Sequence, residues 1–158
     1  MIRAFTAVAL VAALSACQGG ADDQDRPVGA KDFPRAVRPV SAVISNEFSD
    51  EDERDNLGEA KVVMNLAKIG AGTSVADIGA GEGYYTVRLS ERVGLRGRVL
   101  AQDIDPAAIQ RLGQRVERER LDNVSIKLGA VEDPRLPERS FDRVFLVHMY
   151  HEVTEPYA

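Results

Sequence analysis

The sequence predicts an α/β fold built on a parallel sheet, and three observations carry that expectation. Ser74 to Ile78 is short, apolar and partly β-branched, as a buried parallel strand is. The strand breaks at Gly79-Ala80-Gly81-Glu82-Gly83 into a glycine loop. From Tyr84 the pattern turns helical, with Tyr85, Leu89 and Val93 on one face and Gly94 as a stop. Strand and helix patterns then alternate along the rest of the chain. A strand, a glycine loop and a helix N-terminus together make a nucleotide site at the C-terminal edge of a parallel sheet.

The chain has 158 residues, which is about one domain. Its net charge of -5 gives no reason to expect a nucleic-acid partner. Residues 1–16 have the form of a targeting segment, with Arg3 as a short positive region and Phe5 to Leu14 as an apolar run too short to span a bilayer. Leu14-Ser15-Ala16-Cys17 resembles a bacterial lipobox, which implies a signal peptide over 1–16 and acyl chains on Cys17. Cys17 is the single cysteine, so an intrachain disulfide is excluded. Gln18, where an Asp would favour inner-membrane retention, points to the outer membrane, with the domain facing the periplasm. Residues 17–45 are expected to form a lipid-anchored flexible tether, because Gly19-Gly20, an acidic run and Pro27, Pro34 and Pro39 oppose regular structure.

Residues 46–158 are expected to be the folded unit. Ser49 and Asp52 fit a helix-cap pattern, and Arg54 and Asp55 read as a solvated face of the helix it opens. From Glu59, Val62, Val63, Leu66 and Ile69 lie at helical spacing and Gly70 ends the segment. After the glycine loop and its helix, Arg98 to Gln102 is a second strand ending at Asp103. Asp105 and Pro106 cap a helix that carries Ile109, Leu112 and Val116 inward, with Arg111, Arg115, Arg118 and Arg120 on its wet side. Val124 to Leu128 is a third strand, and Phe141 to Val147 a fourth, with Val144-Phe145-Leu146-Val147 apolar on both faces.

The glycine loop also constrains its ligand. The dinucleotide fingerprint is G-x-G-x-x-G/A, but here the spacing is G-x-G-x-G and the sixth position is Tyr84. Asp77 and Glu82 bracket the loop, and no Lys or Arg lies between Val75 and Val87. A pyrophosphate would meet two carboxylates, whereas a ligand with an ammonium and a sulfonium would be attracted. S-adenosylmethionine has both, with an adenosine and no phosphate. Asp77-Ile78-Gly79-Ala80-Gly81-Glu82-Gly83 resembles the first motif of class I S-adenosylmethionine-dependent methyltransferases, and the likeness runs from about Glu59 to the C-terminus.

That resemblance implies a Rossmann-like, three-layer α/β/α fold. Four strands in the order 3-2-1-4 would form the N-terminal part of a seven-strand sheet, truncated after the fourth strand. It places the donor on Asp77, Gly79, Ala80, Gly81, Glu82 and Gly83. Asp103 would bind the ribose diol, and Ile104 would lie against the adenine. The family's adenine-binding acid would fall at Ala130, so Glu132 is the candidate from the next turn. His148, Tyr150 and His151 follow the fourth strand at the pocket edge and are the candidate proton acceptors. A metal reading of His148, His151 and Glu152 lacks a third well-spaced ligand, so no metal is expected. The fourth strand would present an apolar edge open to self-association or completion by another chain. The expected function is methyl transfer to a small molecule by an exported, lipid-anchored enzyme. A non-catalytic binding lipoprotein on the same half-sheet is the alternative. A dinucleotide-dependent oxidoreductase is disfavoured by Tyr84 and the acidic loop.

Overall fold

The computed structural model describes residues 26–42, 50–131 and 133–157. The signal peptide, Cys17, the Ser49 cap and Glu132 lie outside them. The described helices are α1 (Glu51–Asn56), α2 (Glu59–Leu66), α3 (Tyr84–Val93) and α4 (Pro106–Glu119). The strands are β1 (Ser74–Ile78), β2 (Arg98–Asp103), β3 (Val124–Leu128) and β4 (Arg143–Phe145), and short 3-10 turns cover Val28–Asp32 and Tyr150–Glu152. The sheet runs β3-β2-β1-β4 with every pair parallel, as expected. This order puts β1 and β2 in the middle, so the loops after them open side by side at one sheet edge.

Local chemistry sets the helix ends. Asp50 caps α1, accepting from the backbone N–H groups of Asp52 and Glu53. Asp105 caps α4 in the same way, with Pro106 at the first helical position. Gly94, at φ +62°, ends α3.

The core forms where α2 and α3 pack on the sheet. Tyr85, Leu89 and Val93 of α3 are buried against Val75, Val99 and Phe145, as the spacing predicted. Of the residues expected on the buried face of the α2 segment, Val63 and Ile69 reach the core, and the rest of the face differs. Ala60 and Met64 point inward with Val63 beside them, whereas Val62 and Leu66 are exposed. Ala60, Met64 and Ala67 follow an i, i+4, i+7 stripe, and it runs through small and flexible residues that a search for β-branched residues passes over. β4 is also shorter than the expected Phe141–Val147. Among the described residues it pairs on one side only, with β1, and Asp142 already bonds Ser74 through its side chain. Ladder bonding therefore holds only three residues in register.

The stretch expected to be a loose tether is attached where it is described. Arg26 is buried and makes a two-pronged contact with Glu155 at 2.8 Å from each nitrogen. Arg38 donates to the backbone carbonyls of Tyr150, His151 and Val153. The Ser41 N–H donates to the His151 carbonyl. Residues 26–42 thus lie along the segment that follows β4. The three prolines exclude a long helix, but they leave arginines free to bind carbonyls and a carboxylate.

Candidate functional site

The glycine loop leaves β1 with Gly79 at φ +68°, Gly81 at +56° and Gly83 at +92°. This left-handed backbone is accessible to glycine at little cost. Two of these positions also lack room. A Cβ on Gly83 would lie 2.6 Å from Leu112 Cδ1, and one on Gly79 would lie 2.9 Å from Met149 Cγ. The loop is fixed to β2 by Ala80 N–H, which donates to the Gln102 carbonyl at 2.9 Å.

Asp103 ends β2 beside this loop. One carboxylate oxygen accepts from Gly81 N–H at 2.8 Å and the other from Asp105 N–H at 2.9 Å. Each oxygen keeps a lone pair, so the group can still receive a cis-diol. Half-buried Ile104 follows it. Asp77 lies beneath the loop, 4% exposed, where it accepts from the Thr86 hydroxyl at 2.7 Å. Burial pushes its carboxyl up to about 6, Thr86 opposes that rise, and the charge of Asp103 adds to it.

Glu82 differs from the expected picture of an uncompensated acidic loop. Its side chain is exposed and accepts from Arg111 Nε at 2.9 Å. Arg115 donates to the Glu82 carbonyl at 3.1 Å. The cations missing from the loop's own sequence are supplied by α4. Arg115 is therefore not on a wet face, because it grips Glu51 with both terminal nitrogens, at 2.6 and 3.0 Å. The negative charge next to the loop comes down to Asp77 and Asp103. Ala130, where the resembled family places an acid, is tied in a turn with Asp133.

A charged network on α1, α2 and α3 closes the other side. Arg54 and Asp55, read as solvated, belong to it. Asp55 accepts from the Tyr84 hydroxyl at 3.0 Å and from Arg88 Nε at 2.7 Å, and the guanidinium holds its carboxyl below the usual range. The Tyr84 ring has the Arg54 and Arg88 guanidiniums 3.6 and 3.8 Å from its centroid. This explains why a bulky residue stands at the loop's sixth position: Tyr84 is the anchor for α1.

Glu59, the first residue of α2, is the centre of the network. It accepts from Arg54 at 2.7 and 3.0 Å, from the Tyr85 hydroxyl at 2.7 Å, and lies 3.0 Å from His148 Nε2. The Arg54 bonds hold its carboxyl down to about 2 against the opposing effect of burial, with Tyr85 and His148 assisting. Burial and the adjacent Glu59 push the Tyr85 phenol above its usual range.

Three candidates were expected after β4, and the structure separates them. His148, at φ +62°, turns toward Glu59. Tyr150 lies under the Arg38 guanidinium, 5.0 Å from its ring centroid. His151 is exposed, with Nε2 3.8 Å from Glu152. Only His148 joins the network around the loop. Sequence reasoning missed Glu59, Arg38 and Met149. No local spacing marks Glu59, because its partners Tyr85 and His148 lie 26 and 89 residues away.

Comparison with known proteins is consistent with this geometry. A family model described as a methyltransferase domain matches residues 75–158. An aklanonic acid methyltransferase of Streptomyces sp. strain C5 is 33% identical over 82 residues, 52% of this chain and 37% of that protein. A ubiquinone/menaquinone biosynthesis C-methyltransferase of Stenotrophomonas maltophilia is 27% identical over 140 residues, 82% of this chain and 53% of that protein. The chain thus spans about half, or less, of the curated relatives it matches. A solved S-adenosylmethionine-dependent methyltransferase from Aquifex aeolicus superimposes with a TM-score of 0.59 at 26% identity, covering 68% of this chain and 62% of that one. The glycine loop, the acid ending the next strand and the sheet order agree with these matches, and the chain belongs to the methyltransferase-domain family, the Rossmann-like class whose cofactor is S-adenosylmethionine.

Proposed function

We propose that the chain transfers a methyl group from S-adenosylmethionine to a small molecule. The observation that carries this reading is Asp103: a carboxylate at the end of β2, fastened to Gly81, with acceptor capacity left for a ribose diol. The residues present fit the donor. Gly81 offers bare backbone beside the Met149 side chain that covers Gly79, Asp103 offers the diol acceptor, Ile104 offers an apolar face and buried Asp77 supports the loop from below. When bound, the sulfonium supplies a methyl group activated for in-line transfer. The chain's own contribution is positioning, which accounts for much of the rate in reactions of this kind. In this proposal His148 takes a proton from the acceptor, supported by its position next to Met149, which packs on Gly79 of the loop. A small-molecule acceptor is supported by the relatives, one named for aklanonic acid and one for quinone biosynthesis.

The same proposal covers the ends of the fold. Residues 1–16 act as a lipoprotein signal peptide and Cys17 carries the lipid, anchoring the domain in the bacterial envelope. Its support is the Leu14-Ser15-Ala16-Cys17 pattern alone. β4 mediates self-association, supported by Val144 and Leu146, which are 49% and 36% exposed beside an edge with no partner strand among the described residues.

Calorimetric titration with S-adenosylhomocysteine and with NAD tests the donor. Binding of the first and not the second is expected. Asp103→Ala should weaken S-adenosylhomocysteine by about 1–3 kcal/mol, the cost of leaving polar partners unpaired. Undiminished affinity would remove the ribose role.

A further inference from the structure

The geometry points to Glu59 as a positioning residue for proton transfer at this site, an inference that rests on the proposed role of His148. The two residues are 89 positions apart and meet at 3.0 Å, Glu59 Oε1 to His148 Nε2. Every other neighbour of that carboxylate fixes it in place. Arg54, from α1, binds both its oxygens, and Tyr85, from α3, donates to Oε1. Glu59 is therefore held as an anion by two helices, and its own helix, α2, brings it to the chain leaving β4. An ionised carboxylate can only accept, so the His148 nitrogen facing it must donate. That assigns the proton of neutral His148 to Nε2 and leaves the lone pair on Nδ1.

A catalytic histidine needs one defined tautomer, and the bond made by its other nitrogen selects it. As a lone pair of the acceptor atom forms its bond to the methyl carbon, the carbon–sulfur bond would break with its electron pair left on sulfur, giving S-adenosylhomocysteine, and Nδ1 would take the proton that the acceptor atom loses. The resulting imidazolium keeps its Nε2–H on Glu59, whose charge stabilises it. His148 is otherwise exposed, with 69% of its side chain open, so this contact is what orients the ring. The left-handed backbone at His148 fits that role: the chain accepts an unfavourable φ of +62° there, and the ring reaches Glu59.

The test reads tautomers directly. The chain contains two histidines, so His148→Gln assigns the imidazole nitrogen signals, with His151 as internal reference. In the intact protein at a pH where His148 is neutral, its Nε2 should carry the proton. In Glu59→Gln, which keeps the shape but replaces an ionic acceptor with a neutral one, the tautomer ratio should shift toward Nδ1–H by about fivefold. The His151 ratio should not move. A wild-type His148 protonated on Nδ1, or an unaltered ratio in Glu59→Gln, overturns the inference, and the wild-type measurement stands even if the variant folds poorly. S-adenosylhomocysteine titration of the same samples separates the two claims. Absent binding with the expected tautomer would sink the donor reading and leave the Glu59 contact intact. Normal binding with the wrong tautomer would do the reverse.

Discussion

The glycine loop and the segment after β4 touch where Met149 covers Gly79, yet they are held by opposite kinds of interaction. The loop is fixed by its neighbours: backbone bonds to Gln102, a carboxylate 22 residues away, and glycine conformations that no other residue fits well. The later segment is fixed by side chains from remote parts of the chain. Glu59 reaches it across 89 residues, Arg38 across 112 to 115, and Arg26 across 129. One wall of the site is built by local backbone geometry. The other hangs on a few long polar side chains, and the two should fail in different ways.

The sharpest way to break the first wall is Gly83→Ala. The residue sits at φ +92°, and a Cβ would come within 2.6 Å of Leu112, itself fully buried. Left-handed strain costs an ordinary residue roughly 1–2 kcal/mol, and overpacking adds about 1–3. A loss of about 2–5 kcal/mol in urea unfolding is expected, with S-adenosylhomocysteine binding abolished in whatever fraction stays folded. A variant of wild-type stability would show that the loop relaxes freely.

The second prediction contrasts the two regions through their carboxylates. Asp77 under the loop is raised from 3.8 to about 6, so the folded chain holds that proton more tightly than the unfolded chain does. Its contribution is fully present below pH 4 and is lost as pH rises through 6. Two pKa units correspond to about 3 kcal/mol. Glu59, lowered from 4.5 to about 2, acts the other way, and its stabilisation is present above 4.5 and lost as pH falls through 2. Glu51 and Asp55, lowered by Arg115 and Arg88, add to the side of Glu59. Asp77→Asn should therefore flatten the decline in stability between pH 4 and 7 and leave the acid limb unaltered. Glu59→Gln should weaken the acid limb and leave the decline. Urea midpoints at pH 3, 4 and 7 measure both, and an unchanged slope from pH 4 to 7 in Asp77→Asn would remove the buried-acid account.

This division also explains what the sequence disclosed. Strand, loop, helix and Asp103 were legible because each is set within about thirty residues by spacing, glycine placement and capping. β1, β2, β3 and α4 were found for that reason. The arginines were misread for the complementary reason. Arg115 and Arg54 look like solvated charges along their own helices; the approach of α1 to α4 supplies Glu51 to Arg115, and the turn from α1 into α2 supplies Glu59 to Arg54. Electrostatics read along the chain gave an acidic loop, but in space Arg111 reaches Glu82. The α2 face failed on residue type: Met64 is buried while Leu66, a stronger hydrophobic signal, is exposed. The contacts of residues 26–42 are not disclosed by composition, since proline content predicts the absence of a helix and says nothing about docking.

The smallest effect, and the most discriminating, belongs to Arg38. Its guanidinium serves three carbonyls of 150–153 at once, an arrangement that suits a planar fork and not a point charge. Removing it costs bonds that are mostly exposed, so global stability should fall by only about 1 kcal/mol. The local consequence should be larger than that figure implies. The Ser41 N–H, bonded to the His151 carbonyl beside it, should exchange with solvent about five to tenfold faster in Arg38→Ala, because low-stability segments open independently of the core. Arg38→Lys should restore little of that protection. The Gly81 N–H, bonded to Asp103 in the other wall, should exchange at its wild-type rate in both variants. Acceleration at Gly81 equal to that at Ser41 would mean that the two walls open as one unit. Unaltered exchange at both would mean that Arg38 does not hold residues 26–42 to the segment after β4.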